Sequence, residues 1–221
     1  MSDKTKIAII DDDHSIRKSL LRMLSVAGFE GVAFSSAGEF LAAADADKVS
    51  CAVSDLRMPG VDGLALQQTL RARLPHLSIV FITGHGDVPS SVDAMKAGAV
   101  DFLEKPVRSN VLLEAINRAI QRSRNLLAAS TEIEELKVRY QRLTPREAEV
   151  FALVAAGLLN KQIGAELGAA EKTIKQHRGR VMNKMEAESL AELVLMAERL
   201  SIRPAETDFS KAKGKLNSRA K

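Results

Sequence analysis

The sequence predicts an α/β fold, a doubly wound five-stranded parallel sheet, followed by a small all-α domain. Three observations carry this. Through residue 125, short β-branched or apolar runs alternate with stretches of helical periodicity. Four of those runs end on a polar residue suited to the carboxyl edge of a parallel sheet: IAII before Asp11, CAVS before Asp55, SIVFI before Thr83 and VDFLE before Lys105. Beyond residue 142 no strand pattern recurs.

TKIAII opens as a strand. HSIRKSLLRMLSVAG follows as a helix with Ile16, Leu20, Met23, Leu24 and Ala27 on one face, and Gly28 ends it. GVAF, SAGEFLAAADA, CAVSD, GLALQQTLRARL, LSIVFIT, VPSSVDAMKAGA, VDFLE and RSNVLLEAINRAIQR continue the alternation. Strands and helices in this order require right-handed crossovers between parallel neighbours. The loop DLRMPGVDG, with Pro59, Gly60 and Gly63, lies just beyond the third strand.

From about Ser123 the chain turns polar and charged. Ile133, Leu136, Val138 and Leu143 give it a partial helical period, so it is expected to be a helical linker continuous in part with the helix before it. LTPREAEVFALVAAG, NKQIGAELG, EKTIKQHRGRVMNKM and ESLAELVLMAERL then form four short helices. The last stretch carries Lys211, Lys213, Lys215, Arg219 and Lys221 with few apolar residues, the composition of a disordered tail. The expected organisation is a first domain over 1–122, a linker over 123–142, a helical domain over 143–203 and a basic tail over 204–221.

A chain of 221 residues, 46% apolar and 27% charged, has room for two globular domains. Residues 1–125 hold 15 basic against 15 acidic side chains, and 126–221 hold 17 against 13, so the whole surplus of +4 lies in the second half. That asymmetry favours an anionic partner there. Cys51, the single cysteine, excludes an internal disulfide and reads as a small buried hydrophobe. No apolar run approaches the length of a membrane span, and the N-terminus leads through Asp3 into a strand rather than a signal-peptide core. A soluble cytoplasmic protein is expected.

The strand-end residues define a chemistry. Asp11 and Asp12 repel each other unless a cation or proton is shared. A hard divalent ion resolves the conflict, and Mg2+ suits a few carboxylates supplemented by water and phosphate oxygens. Asp55 is the best nucleophile, since a carboxylate can attack a phosphoryl donor to give an acyl phosphate. Lys105 would neutralise charge on the transferring group and the Thr83 hydroxyl would bond one of its oxygens. Taken singly, each of these residues has an ordinary role as turn, cap or surface group. Their recurrence at successive strand ends carries the assignment.

In IAIIDDD, DLRMPGVDG, FITGHGD and DFLEKP, residues 1–125 resemble a response-regulator receiver domain, a flavodoxin-like fold. The resemblance implies that a histidine kinase phosphorylates Asp55, that Asp11, Asp12, Asp55 and the backbone carbonyl of Arg57 hold Mg2+, and that Thr83 and Lys105 sense the phosphoryl group. Arg17, six residues past the first acid, sets the register of the pair and leaves Asp13 in a supporting role. Phe102 matches the switch aromatic of receivers. A cis Lys105–Pro106 bond is also implied. Arg57 and His85 would rim the pocket and tune the lifetime of the acyl phosphate.

In the second half, Thr144 can cap a helix opened by Pro145, with Glu147 completing a capping box. Leu153, Val154, Ile163, Leu167, Ile174, Val181 and Met185 can close a small helical core. Residues 157–185 carry six basic side chains against Glu166 and Glu171. Such a run is ordinarily a solvated face, but LTPREAEV, AAGLLNKQIGAELG and KTIKQHRGRVMNKM resemble the LuxR-type helix-turn-helix, whose second helix enters the major groove. By that resemblance Lys175, Gln176 and Gly179 face bases, and Asn160, Lys161, Thr173, His177, Arg180 and Lys184 contact phosphates or orient the helix. Ala170 stands where the family starts this helix with Ser, removing a cap worth about 1 kcal/mol. Gly164 replaces a usual alanine, at up to about 1 kcal/mol. Both departures imply a motif stabilised by dimerisation or DNA. In this family the last helix, with Leu190, Leu193, Val194, Ala197 and Leu200, dimerises.

The order of domains resembles two-component regulators of the NarL/FixJ kind. It implies a phosphorylation-controlled transcription factor that is not a turnover enzyme and that partners a sensor kinase, promoter DNA, RNA polymerase and a second copy of itself. One rival keeps the DNA binding and reduces the receiver to a docking module, but the intact strand-end set opposes that. A second rival is a phosphatase built on Asp55; such enzymes need an acid two residues later, where Arg57 stands.

Overall fold

The computed structural model describes residues 5–44, 46–84 and 88–203, and no helix in it is long and apolar enough to cross a membrane. The predicted basic tail lies outside the described residues, as does His85. The chain divides into two compact units, residues 1–130 and 131–221, each described by itself.

In the first unit β1 (Lys6–Ile10), β2 (Glu30–Phe34), β3 (Cys51–Asp55), β4 (Ser78–Thr83) and β5 (Asp101–Glu104) form one parallel sheet in the order β2-β1-β3-β4-β5. Between them run α1 (His14–Val26), α2 (Ala37–Ala42), α3 (Gly63–Arg73) and α4 (Val88–Lys96), and α5 (Ser109–Gln141) follows β5. Alternation along the strands feeds two cores. Ala8, Ile10, Ala52 and Phe81 face one cluster with Phe40 and Leu66. Ile7, Ile9, Val53, Val80 and Ile82 face the other, with Leu24, Leu112 and Ile116. Cys51 is buried in the latter.

Two local chemistries start the helices beside the carboxyl edge. Asp13 caps α1, its side chain accepting from Ser15 N and Ile16 N, and Asp62 caps α3 by accepting from Ala65 N at 2.8 Å. The helix expected over SAGEFLAAADA stops at Ala42 and is replaced by a single 3-10 turn, Ala46–Lys48. After Leu41 that stretch offers only alanines and Asp45, too little apolar surface to hold another turn on the sheet.

The unit boundary falls inside α5, so the segment expected as a linker is shared. Ser123 is buried in the first unit, where its hydroxyl accepts from Ser78 N at 2.9 Å. Leu136 belongs to the core of the second, and Tyr140 packs on Phe151 with ring centroids 5.6 Å apart. That core joins α6 (Pro145–Ala155), α7 (Asn160–Leu167), α8 (Glu171–Met185) and α9 (Leu190–Arg199). Thr144 and Glu147 form the expected capping box. Gly168, with φ of 62°, closes α7 in the left-handed region, and Ala170 starts α8 without a side-chain cap.

Gly164 acquires a reason that its cost alone did not suggest. A Cβ there would lie 2.6 Å from the Ala169 carbonyl oxygen, so the glycine admits the turn between α7 and α8.

Candidate functional sites

Parallel register brings the strand-end residues together. Asp55 pairs with Ile82 and Thr83 with Glu104, so Lys105 emerges one residue past the paired edge, beside Asp11 and Asp12 at the end of β1. Ligand oxygens of Asp11, Asp12 and Asp55 lie within 4.8 Å of one another. Asp11 and Asp55 are buried and Asp12 is exposed, giving the cluster an open side. Three carboxylates against one nearby ammonium leave a surplus of about two negative charges, which suits a divalent cation. Oxygen-only donors and an open face for water fit Mg2+ in particular.

Lys105 Nζ donates to Asp11 Oδ2 at 2.7 Å and reaches Asp55 Oδ1 at 3.5 Å. Asp11 is further held by the backbone N–H of Asp13, at 2.8 Å to its Oδ1, while Arg17 donates to the Asp11 carbonyl at 2.7 Å. Leu56 N donates to Asp55 Oδ1 at 2.9 Å, which leaves Oδ2 as the oxygen with capacity for an electrophile. Burial pushes the Asp55 carboxyl above its ordinary value; Lys105 pulls it down and Asp11 adds to the rise. Thr83 is 1% exposed on the same edge.

Gly63 supports this edge from behind. Its N–H donates to Leu56 O at 2.8 Å, and a Cβ there would meet Asp55 O and Phe81 Cε1 at 2.8 Å each. Only glycine lets α3 begin against the strand that carries Asp55. Arg57 is exposed on the loop, and Phe102 is half-buried against the core cluster that contains Phe81. The cis Lys105–Pro106 bond is present.

In the second unit, Ile174, Val181 and Met185 turn α8 into the core. Lys172, Lys175, Gln176, Gly179 and Arg180 fall on the opposite, exposed face at helical spacing, and Lys161 and Thr173 are exposed nearby in the chain. Lys172 belongs to this stripe although its sequence position alone did not single it out. Asn160 is half-buried, with Oδ1 accepting from Arg178 Nη1 at 3.2 Å. His177 is half-buried, and its Nδ1 is buried without a partner among the described residues.

Lys184 stands apart from that face. It donates to Glu147 Oε2 at 2.6 Å and to the Arg142 carbonyl at 3.0 Å, tying α8 to the start of α6. Glu147 is 2% exposed; Lys184 and the Thr144 N–H hold its carboxylate well down, at about 2. This pair leaves no sign in sequence, because its members are 37 residues apart.

Comparison with known proteins adds to the geometry. The family pattern of the response regulator receiver domain matches residues 7–117, and that of bacterial regulatory proteins of the luxR family matches residues 141–197. Nodulation protein W of Bradyrhizobium diazoefficiens is 47% identical over 207 residues, 94% of this chain and 91% of that protein. Transcriptional regulatory protein FixJ of Rhizobium meliloti is 44% identical over 200 residues, covering 89% and 96%. Among solved structures, that of response regulator StyR superposes with a TM-score of 0.73 at 42% identity, covering 89% of this chain and 100% of that one. Full-length FixJ from B. japonicum gives 0.54 at 41% identity, covering 90% and 98%.

Proposed function

The chain belongs to the response regulators of the NarL/FixJ type, and from that premise we propose that Asp55 is the residue at which its signal arrives. A protein that joins a receiver to a LuxR-type domain is a phosphorylation-controlled regulator of transcription. A receiver implies a histidine kinase as partner, and a LuxR-type domain implies DNA.

The observation that carries the assignment is the Lys105 bridge between Asp11 and Asp55 at a buried carboxylate edge. In the proposed reaction an Asp55 carboxylate oxygen attacks the phosphorus of a phosphohistidine. An O–P bond forms, the P–N bond breaks and the imidazole departs with the electron pair. Mg2+, held by Asp11, Asp12, Asp55 and the Arg57 carbonyl, supplies charge neutralisation when bound. Lys105 holds the negative oxygens, and the Thr83 hydroxyl donates to one of them. Phe102, on the neighbouring strand, follows Thr83. Chemistry at Asp55 is limited to self-phosphorylation and autodephosphorylation, in which water takes the phosphoryl group as inorganic phosphate and the carboxylate is restored.

The reading places the receiver in 1–122, the linker in 123–142 and the DNA-binding domain in 143–203, with residues 131–141 packed as a helical brace on the latter. The exposed face of α8 supports base contact by Lys175, Gln176 and Gly179. Asn160, Lys161, Thr173, His177 and Arg180 then position the helix on phosphates. Leu190, Val194 and Leu195 of α9 remain exposed, a surface for a second copy on two-fold DNA. Recruitment of RNA polymerase in the cytoplasm completes the reading. Swinging such a population from off to on takes roughly 5.5 kcal/mol of differential interaction, within reach of a phosphoryl group with several charge-assisted bonds.

Incubation with labelled acetyl phosphate and Mg2+ is the test. The wild type is expected to take one acid-stable, base-labile label and Asp55→Asn none. Label retained at full stoichiometry by the variant would remove Asp55 from its role.

A further inference from the structure

The carboxylates clustered at the edge of the receiver sheet are not held alike. Asp11 is fixed at every polar atom. Its N–H donates to Phe34 O at 3.2 Å, and its Oδ1 accepts from Asp13 N at 2.8 Å. Its Oδ2 accepts from Lys105 Nζ and its carbonyl from Arg17 Nη1, both at 2.7 Å. Asp55 is buried, with Oδ1 accepting from Leu56 N. Asp12 is exposed, and its side chain makes no hydrogen bond or ion pair among the described residues. Whatever orients that carboxylate must therefore act through its backbone.

The Arg17 bond stands where it can do so. The Asp11 carbonyl and the Asp12 nitrogen belong to one planar peptide, so the atoms from Asp11 Cα to Asp12 Cα turn as a unit. A donor locked on that carbonyl opposes rotation about the Asp11 Cα–C bond and so fixes where Asp12 Cα stands. Arg17 is itself braced. It is half-buried near the start of α1, and its own N–H donates to the carbonyl of Asp13, the residue that caps this helix, at 3.1 Å. Its guanidinium also lies within Coulomb reach of Glu39, whose Oε2 accepts from Ser35 N and Ser35 Oγ at 2.6 and 2.7 Å. Ser35 chiefly, and Arg17 after it, hold the Glu39 carboxyl below its ordinary value.

Charge alone would not select a cation at this place. A positive side chain near the start of a helix opposes the dipole, and one beside an acidic cluster repels a divalent ion bound there. Both effects disfavour Arg17, whereas its bond to the Asp11 carbonyl favours it. We propose that Arg17 is a positioning residue of the metal site, acting through the Asp11–Asp12 peptide to aim the Asp12 carboxylate. The inference rests on the reading of Asp11, Asp12 and Asp55 as Mg2+ ligands.

Calorimetric titration of the full chain with magnesium chloride, set beside melting curves without it, tests this. Arg17→Met removes a cation, so it would tighten Mg2+ binding if charge alone mattered. It is expected instead to weaken binding by about tenfold, the scale for a group that orients a metal ligand. Arg17→Lys keeps a donor on a side chain of similar length and should recover most of that loss. Lys18→Met removes the same charge from the next, exposed position of α1 and should not weaken binding. Arg17→Ala carries the same expectation should Arg17→Met not fold. A role confined to folding would lower the melting temperature of Arg17→Met and leave its affinity for Mg2+ unchanged. The inference is overturned by equal or tighter binding in Arg17→Met, by no recovery in Arg17→Lys, or by an equal loss in Lys18→Met. A wild type that binds no Mg2+ would defeat the ligand reading and this inference together.

Discussion

Lys105 stands closer to Asp11, at 2.7 Å, than to Asp55, at 3.5 Å, so the lysine is held by the acid next to the acceptor and only leans toward the acceptor itself. Asp11 anchors the lysine, and on the proposed reading it is a metal ligand as well. Asp11→Asn should lower Mg2+ affinity by about tenfold or more, since one of three charged donors is lost and an amide is a poor substitute. Phosphorylation by acetyl phosphate should fall in parallel. Calorimetric Mg2+ titration of wild type and variant checks this; equal affinities would exclude Asp11 from the ion's shell.

Gly63→Ala probes the same edge without touching a charge. The new Cβ would press on Asp55 O and Phe81 Cε1, both at 2.8 Å, and backbone is the less yielding of the two. Overpacking of this kind costs about 1–3 kcal/mol. Thermal unfolding should show a receiver destabilised by that amount, with slower phosphorylation because Asp55 is displaced. A variant as stable as the wild type would mean that α3 can shift freely.

Most of the receiver site was legible in the sequence because each member directly follows its own β-branched run, and parallel pairing aligns strand ends without further information. Arg17, on which the register of the acidic pair rests, donates to the Asp11 carbonyl. Asp13 shows the limit: three consecutive acids look alike in sequence, and only the cap geometry gives Asp13 to α1. Close approach across a turn or between bodies leaves no mark in the sequence. In sequence Gly164 reads as a weakened helix, because the Ala169 carbonyl beside it comes from the following turn, and Leu136 shows a period but no partner. Periodicity shows that a face exists; it does not say which body covers it.

Gly179 lies mid-helix on the exposed stripe of α8, and a Cβ there would meet nothing within 4 Å. Among the described residues nothing requires a glycine there. Gly179→Ala should raise the stability of the DNA-binding domain by up to about 1 kcal/mol, several degrees in melting temperature for a domain of this size. If the backbone there approaches a base edge, DNA affinity should fall in the same variant. Rising stability with falling affinity is the expected pair of results; unchanged affinity would place Gly179 off the groove.

Lys184 and Arg180 make opposite predictions although the resemblance gives both the same choice, to contact phosphates or to orient the helix. Arg180 is exposed, while Lys184 is engaged with Glu147 and the Arg142 carbonyl. Replacing Arg180 by Ala should reduce the salt slope of DNA binding by about one counterion. Lys184→Gln should leave the slope unchanged and lower stability instead. Fluorescence anisotropy across a salt series, set beside melting curves, separates the two. A slope lowered by Lys184→Gln would return that lysine to the phosphate backbone.

Glu147 sets a pH dependence whose sign follows from its surroundings. The carboxylate is held at about 2 against an ordinary 4.5, by the Lys184 ammonium first and the Thr144 N–H second, with burial opposing. A group depressed on folding contributes stability that is complete above its unfolded value and is lost as pH falls through the folded one. The window is therefore about pH 4.5 down to about 2. Because the Lys184 side chain is 35% exposed, screening trims the contribution to roughly 2 kcal/mol at neutral pH. Glu147→Gln keeps an oxygen for the Thr144 N–H and removes only the charge. Its melting temperature should lie below the wild type's at pH 7, and the two curves should converge as pH approaches 2. A gap that stays constant across that range would mean that shape, not the Lys184 pair, is what Glu147 contributes.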